Sequence, residues 1–269
     1  MIRERGWEAA ANEALNLGCN MLETIDTPFS PEKPILNSIE QVRETRKLLE
    51  SLGVSISCCS VFANLYNSPE TISFLKTYAE LAAEIGSPFL HHTLLPWIEP
   101  CAEIPEPEVA IECAVSAAEE IANHAAKFGV TCLYEGQGLI TNGIVGYHKF
   151  FDEMKRRCKN VGVCGDIGNT LFVDVAPKDF FREFISDIKH VHVKEYKRFP
   201  STADKKQGFM RARDGSYIAD VPLGTGICEI DECMKTLTDA GYNGVVSIES
   251  MDPPPAVAYM KNTYGTIFR

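Results

Sequence analysis

The sequence has no apolar run approaching the roughly 18 residues that a membrane-spanning helix needs. Its first residues, MIRERGWEAAANEA, carry charge but no apolar run follows them, so we do not expect a signal peptide. Positive charge is also scarce, because 26 Lys and Arg stand against 37 Asp and Glu, a net charge of −11. An acidic chain repels phosphate backbones. We therefore expect neither a membrane nor a nucleic acid as the partner.

The ten cysteines include no C-x-x-C pair. The adjacent Cys58 and Cys59 are not expected to bridge each other. Cys132 and Cys164 lie inside apolar runs, where a free thiol packs as a small hydrophobic side chain. We therefore predict unpaired cysteines and a reduced, cytoplasmic protein.

One pattern recurs along the chain. An amphipathic helical stretch ends in glycine, and a short β-rich run follows within a residue or two. Glycine there supplies the left-handed residue that ends a helix. The runs are apolar on both faces, as strands of a buried parallel sheet are. The pattern predicts seven strands, which begin near residues 19, 54, 87, 130, 161, 188 and 244.

The segments between these strands show helical periodicity. The predicted helices are Trp7–Leu17, Ser38–Ser51, Pro69–Ile85, Pro107–Lys127, Pro177–Ser186 and Ile230–Ala240. No linker or low-complexity run divides the chain, so we predict one domain over residues 1–269. Alternating strands and helices over a length close to the usual 250 or so residues favour an α/β fold, the (β/α)8 TIM barrel. The first of its eight strands is not visible, because only five residues precede Gly6.

In such barrels the active site lies at the carboxyl ends of the strands. Four neighbouring predicted strands each end in one polar side chain, and these are Glu135, Asp166, His192 and Glu249. A charged side chain in an apolar strand is costly unless it is paired or bound to a metal. Three carboxylates and one imidazole suit Mn²⁺, Mg²⁺, Co²⁺ or Zn²⁺. The strand ends therefore predict a divalent-metal site, with Mn²⁺ favoured.

The segments LYEG, GDIGN, HVHVKEY, PLGTGICEID and YNGVVSIE resemble the xylose-isomerase-like barrel superfamily of sugar-phosphate isomerases and epimerases. The resemblance covers the chain from about Trp7 onward. It implies that Glu135, Asp166, His192 and Glu249 are the metal ligands. It also implies proton transfer beside a carbonyl through an enediolate, with Glu135 and Glu249 as the acid/base pair. Many members have a histidine three residues after the aspartate, where this chain has Asn169.

Substrate contacts are predicted around this centre. Tyr196–Pro222 is a long insertion with a local excess of positive charge, and it is either an anion-binding loop or a lid without ligand contacts. Lys194 is either a substrate contact or the partner of a neighbouring carboxylate. Gly224 and Gly226 form either a phosphate cradle or a turn. The candidate substrate-binding residues are Lys194, Arg213, Asn169, His92 and Trp97, the last in a proline-rich loop over Leu95–Pro107.

The leading functional hypothesis is a metal-dependent isomerase or epimerase of a sugar or polyol ketone. The same groups serve an elimination, so a dehydratase or lyase of a keto-inositol or 3-keto-C-glycoside is the alternative. A third hypothesis is a barrel that binds a ligand or partner without catalysis. The apurinic-site endonuclease branch is disfavoured, because it needs more histidines than the six present. An incomplete barrel also exposes strand edges, so we expect a homo-oligomer, as a dimer.

Overall fold

The computed structural model describes residues 2–30, 32–97, 104–250 and 252–265. Its strands are β1 (Met21–Asp26), β2 (Ser55–Val61), β3 (Phe89–His92), β4 (Thr131–Tyr134), β5 (Val161–Ile167), β6 (Ile188–Val193), β7 (Tyr196–Phe199), β8 (Met210–Arg211), β9 (Tyr217–Asp220) and β10 (Val245–Ile248). Its helices are α1 (Ile2–Asn16), α2 (Ile39–Leu52), α3 (Pro69–Ile85), α4 (Pro107–Ala126), α5 (Ile144–Arg157), α6 (Pro177–Phe184), α7 (Ile230–Asp239) and α8 (Pro253–Tyr264).

The seven predicted strands correspond to β1–β6 and β10, all of them parallel strands. Within the described residues no strand precedes α1, as the sequence predicted. The predicted helix stops also occur, since Gly53 and Gly86 end α2 and α3 with φ of 72° and 88°. A side chain in this left-handed region is strained, which is why glycine is favoured there.

The sequence prediction missed two helices. In α5, Tyr147, Phe150, Phe151 and Met154 repeat at helical spacing and are all buried, so the periodic signal was present. In α8 the helical pattern is obscured by the run of three prolines at its start. Proline is tolerated in the first turn of a helix, where the N–H that it lacks has no partner inside the helix.

The chain forms two compact units. The first contains Met1–Leu94, Cys113–Tyr134 and Met154–Val161. Its four strands pair side by side in the order β1-β2-β3-β4, with Ser60 opposite His91 in the register of β2 and β3. Helices α2 and α3 bury Val42, Leu49 and Leu75. This burial of apolar side chains is the main source of the stability of the first unit.

The second unit contains Leu95–Glu112, Glu135–Glu153 and Gly162–Arg269. Strand β6 pairs with β5 on one side and with β10 on the other. Its core includes an aromatic cluster in which the rings of Phe180 and Phe184 lie 5.0 and 4.9 Å from that of Tyr147. A small antiparallel sheet, in the order β7-β9-β8, occupies the predicted insertion.

The structure also describes the thiol groups and the apolar character of the helices. The nine cysteines that the structure describes have free thiols, and burial raises the pKa of Cys59 and Cys132 to about 12, which keeps them protonated. Among the described helices, none combines the length and the apolar character that crossing a membrane would require.

His148 gives the second unit a pH-dependent contact between α5 and α6. Its Nδ1 lies 3.1 Å from Asp152 Oδ2, and its Nε2 lies 2.9 Å from Glu183 Oε1. Only the imidazolium donates from both nitrogens. Burial lowers the pKa of His148, but hydrogen bonds with Glu183 and Asp152 outweigh it, so the pKa is raised above 6.5.

We expect His148→Gln to lower the free energy of unfolding by about 0.5 kcal/mol at pH 5.5, the size of an exposed ion pair. A raised folded-state pKa stabilises the fold below the unfolded pKa, and the effect disappears as pH rises through the folded value. Urea unfolding at pH 5.5 and pH 9 measures the difference. Glu183→Gln should show the same pH trend, and an equal loss at both pH values would contradict the assignment.

Candidate metal centre

Strand geometry in the second unit brings the predicted ligands to one place. Asp166 lies opposite His192 in the parallel register of β5 and β6. Glu249 directly follows β10, and its N–H donates to the carbonyl of Val193 on β6. Glu135 follows the last residue of β4. Side chains at the carboxyl ends of parallel strands share one edge of the sheet, so the four converge.

The distances within this cluster fit one metal ion. His192 Nδ1 lies 3.4 Å from Glu135 Oε2, and 3.9 Å from both Asp166 Oδ2 and Glu249 Oε2. An ion about 2.1 Å from every ligand holds adjacent ligand atoms about 3.0 Å apart and opposite ones about 4.2 Å apart. The three distances from His192 Nδ1 fall between these limits. Ligand atoms of Glu135, Asp166 and His192 also lie within 4.8 Å of one another, a spacing that could accommodate a metal ion.

The carboxylates give the cluster an excess of negative charge. Glu135 and Asp166 are 4% and 2% exposed, whereas the side chain of Glu249 is 52% exposed. Burial raises the pKa of Asp166 to about 7 and, although Lys194 opposes the shift, Glu135 and Glu249 add to it. With the charge of Lys194 included, the three carboxylates carry a formal charge of −2. One divalent ion would neutralise it.

Lys194 lies inside the cluster rather than beside it. Its Nζ is 3.0 Å from Asp166 Oδ2 and 2.8 Å from Glu249 Oε2. Burial lowers the pKa of Lys194, but the attraction of these two carboxylates outweighs that cost and holds the pKa well above its usual value. The sequence left Lys194 either as a substrate contact or as the partner of a neighbouring carboxylate. In the structure it contacts two carboxylates.

Asn169 is fixed next to the same carboxylates. Its backbone N–H donates to Asp166 Oδ1 at 2.8 Å, and its carbonyl accepts from Asn142 Nδ2 at 2.7 Å. Its side-chain Oδ1 accepts from Lys194 Nζ at 3.3 Å. The residue is 4% exposed, and its Nδ2 has no hydrogen-bond partner among the residues that the structure describes. A buried donor without an acceptor is costly, so this nitrogen is a candidate contact for a ligand oxygen.

The insertion that the sequence predicted as a loop is ordered by hydrogen bonds. Strands β8 and β9 flank an Asp-Gly pair at 214–215, a strong hairpin signal that the sequence analysis did not use. The small sheet attaches to the turn at Asn169–Val173, because Arg198 donates to the carbonyl of Leu171. Arg213 is exposed, and its guanidinium donates to the carbonyl of Leu139.

The Gly-x-Gly segment at 224–226 serves as a turn around a buried carboxylate. Glu195 accepts from the N–H groups of Gly224 at 3.0 Å and Cys228 at 2.9 Å. Glycine is needed at 226, because a Cβ there would lie 2.6 Å from Glu195 Oε1 and 2.2 Å from a backbone oxygen. These amides are engaged within the protein, so the segment has the contacts of a turn and not those of a phosphate cradle.

The structure describes the surroundings of two further predicted substrate contacts. His92 is in the first unit, fully buried against Tyr134, and burial lowers its pKa to about 4. Trp97 is in the second unit, where its carbonyl would lie 3.0 Å from a Cβ at Gly138. Residues 98–103 of the proline-rich loop lie outside the described residues. The contacts of His92 and Trp97 with a substrate stay predictions.

A polar chain in the first unit was not predicted from the sequence. Ser60 Oγ donates to Glu23 Oε1, and it lies 2.9 Å from His91 Nδ1. His91 and His92 therefore point to different neighbours, as strand alternation predicted. Glu23 and Ser60 are charged or polar residues inside strands, and this feature of the sequence could have indicated the polar chain.

Comparison with known proteins identifies the family. Residues 11–263 match the family described as xylose isomerase-like TIM barrel, so the chain belongs to that family and has its α/β barrel fold. The match confirms the resemblance and the fold class predicted from the sequence. No curated protein matches the chain significantly.

Solved structures share the fold at low sequence identity. D-psicose 3-epimerase from Clostridium cellulolyticum H10, in a structure with D-tagatose, has a TM-score of 0.72 and 17% identity over 99% of this chain and 95% of that one. The probable 3-DHS dehydratase AsbF from Bacillus anthracis has a TM-score of 0.72 and 17% identity over 97% and 95%. A xylose isomerase-like TIM barrel protein from Mycobacterium smegmatis, in complex with magnesium, has a TM-score of 0.68 and 17% identity over 98% and 90%.

We expect Glu195→Gln to lower the free energy of unfolding by about 1–3 kcal/mol, the cost of a buried polar group that loses its partner. The carboxylate accepts two N–H groups, whereas glutamine turns an NH₂ group toward one of them. Urea unfolding measures the loss, and amide hydrogen exchange at Gly224 and Cys228 should become faster. Glu232→Gln, on the first turn of α7, is the control, and equal stabilities would contradict the bond assignment.

Proposed function

We propose that this protein is a divalent-metal-dependent isomerase or epimerase of a sugar or polyol ketone. The single observation that carries the proposal is the convergence of Glu135, Asp166, Glu249 and His192, with every carboxylate within 3.9 Å of the imidazole. The similarity of fold to an epimerase supports the same reaction class. The proposed substrate is a small polyhydroxy ketone.

Glu135, Asp166, His192 and Glu249 would hold the ion, with Mn²⁺ or Mg²⁺ as the proposed metal. When bound, the ion would polarise a carbonyl and make the adjacent C–H group more acidic. Asp166 is tied to Asn169 and Lys194 through both carboxylate oxygens, so it serves as a fixed ligand. Asn169 Nδ2 is the proposed donor to a substrate oxygen, and the exposed Arg213 is a second proposed contact.

Glu135 and Glu249 are the proposed acid and base. Their surroundings differ, because Glu135 is buried and the side chain of Glu249 is half-exposed. A proton taken up by Glu249 can exchange with water, whereas one on Glu135 is shielded from it. The proposed reaction starts with removal of the proton beside the ketone by one glutamate and ends with return of a proton by the other.

Elimination is the second candidate reaction. The similarity of fold to a probable dehydratase supports this alternative reaction. Proton abstraction next to a ketone uses the same glutamate whether the intermediate is reprotonated or expels a β-leaving group. Mass spectrometry of the product separates the two reactions, because elimination of water lowers the mass and isomerisation does not. We also propose that the protein is a homodimer and that it is located in the cytoplasm.

We expect Mn²⁺ to raise the melting temperature of the wild-type protein. At a concentration 100 times the dissociation constant, a ligand stabilises the fold by about 2.7 kcal/mol. Asp166→Asn should lose most of this stabilisation, because it removes one anionic ligand. Asp179→Asn, which is exposed on α6, is the control and should keep it. A full Mn²⁺ response in Asp166→Asn would contradict the proposed ligand set.

We expect Glu249→Gln to lower the rate of metal-dependent deuterium uptake from D₂O into a reactive ketose about 10²–10⁴-fold, the usual contribution of a positioned acid or base. The panel contains ketoses, keto-inositols and 3-keto-glycosides, and uptake is followed by mass spectrometry. Glu232→Gln is the control. Calorimetric titration with Mn²⁺ shows whether the variant still binds the metal, and so separates loss of the base from loss of the metal. Deuterium uptake at the wild-type rate in Glu249→Gln would remove Glu249 from the acid/base pair.

A further inference from the structure

Lys194 is surrounded by acceptors in the second unit. Its Nζ forms ion pairs with Asp166 Oδ2 at 3.0 Å and with Glu249 Oε2 at 2.8 Å, and it donates a hydrogen bond to Asn169 Oδ1 at 3.3 Å. An ammonium group can only donate, through its three N–H bonds. The two carboxylates and the amide oxygen therefore hold the ammonium group where it is.

The stem of Lys194 is also held in place. Gly168 lies against it, and a Cβ at that position would be 3.0 Å from Lys194 Cγ and 2.9 Å from the ring of Tyr196. The ammonium nitrogen lies 5.9 Å from the centre of the Tyr196 ring, within the range of a cation–π contact. Lys194 is 5% exposed, so its side chain is buried with Gly168 and Tyr196 as neighbours.

The hydrogen bond from Lys194 fixes the orientation of the Asn169 amide. Lysine can only donate, so it must face the amide oxygen and not the NH₂ group. Rotation of the amide by 180° would place two donors against each other. The backbone of Asn169 is anchored at both its N–H and its carbonyl, by Asp166 and Asn142. The NH₂ group is therefore held in one direction, buried and without a partner among the described residues.

We propose that Lys194 is a positioning residue, which orients Asn169 so that its Nδ2 donates to a substrate oxygen that carries no proton, a ketone oxygen or a carboxylate oxygen. Lys194 itself does not touch the substrate. The identity of the ligand rests on the proposed function, whereas the orientation of the amide rests on contacts within the protein. The inference replaces the role of Lys194 as a substrate contact that the sequence favoured.

The orientation is tested without a ligand by NMR of ¹⁵N-Asn-labelled protein. The side-chain NH₂ signal of Asn169 is assigned by its loss in Asn169→Asp. We expect Lys194→Met to speed hydrogen exchange of this NH₂ group at least tenfold, because the amide can then rotate. Lys235→Met, exposed on α7, should leave the exchange unchanged. An unchanged exchange rate in a folded Lys194→Met protein would overturn the proposal.

The contact with substrate is tested with D-tagatose, a ketose, in the presence of Mg²⁺. We expect D-tagatose to shift the Asn169 NH₂ signal, and galactitol, a polyol without the keto group, to shift it at least tenfold more weakly. Asn169→Ala removes the donor without adding a charge beside Asp166, so it raises KM at least tenfold, with a smaller effect on kcat. Equal responses to both compounds would overturn the assignment to a ketone oxygen.

A double-variant cycle separates positioning from direct contact. If Lys194 acts through Asn169, the Lys194→Met/Asn169→Ala protein binds D-tagatose no more weakly than Asn169→Ala alone. Additive losses at saturating Mg²⁺ would mean that Lys194 acts on sugar binding other than through Asn169 and would overturn the proposal. If D-tagatose does not bind the wild-type protein at all, the proposed function fails for this ketose, and the ligand-free NMR result still decides the role of Lys194.

Discussion

Repulsion between carboxylates is the constraint on which the centre depends. Asp166 and Glu135 are withdrawn from water, and Glu249 joins them from the neighbouring strand end. Ionised groups in such a place need positive charge nearby. Lys194 supplies one unit of it from within the protein and is itself kept charged by the groups that it neutralises. The formal charge of −2 that remains on the cluster equals in size the charge of a divalent ion, which is the occupant that we propose.

Residues at the end of β6 and just after it have separate roles. His192 and Lys194 face the carboxylate cluster, whereas Glu195 turns to the amides of Gly224 and Cys228. Glu195 therefore holds the turn that follows the small sheet, and it does so beside the residue that neutralises the centre. An acidic residue close in sequence to a proposed metal ligand can thus be structural, and its hydrogen bonds distinguish it from a ligand.

Much of the fold and of the centre followed from the sequence, because two periodic signals govern them. Glycine after each amphipathic stretch located the strands, and polar residues at strand ends located Glu135, Asp166, His192 and Glu249. The contacts of Lys194 with two carboxylates and one amide could not be predicted, since they depend on the lengths and rotamers of side chains from separate strands. The small sheet of the insertion was missed because its strands are short and its Asp-Gly signal stands among charged residues.

The exposure of β10 has a consequence for how long the centre persists once it is formed. All four residues of this strand are half-buried, and the glutamate that follows it is the least buried of the four proposed ligands. Segments with little buried surface open locally at a lower free energy than the whole domain. Detachment of this one segment would withdraw a single ligand and leave Glu135, Asp166 and His192 in place. The residence time of an ion would then be set by the fraying of one strand, so its release rate and the global stability of the protein could vary independently.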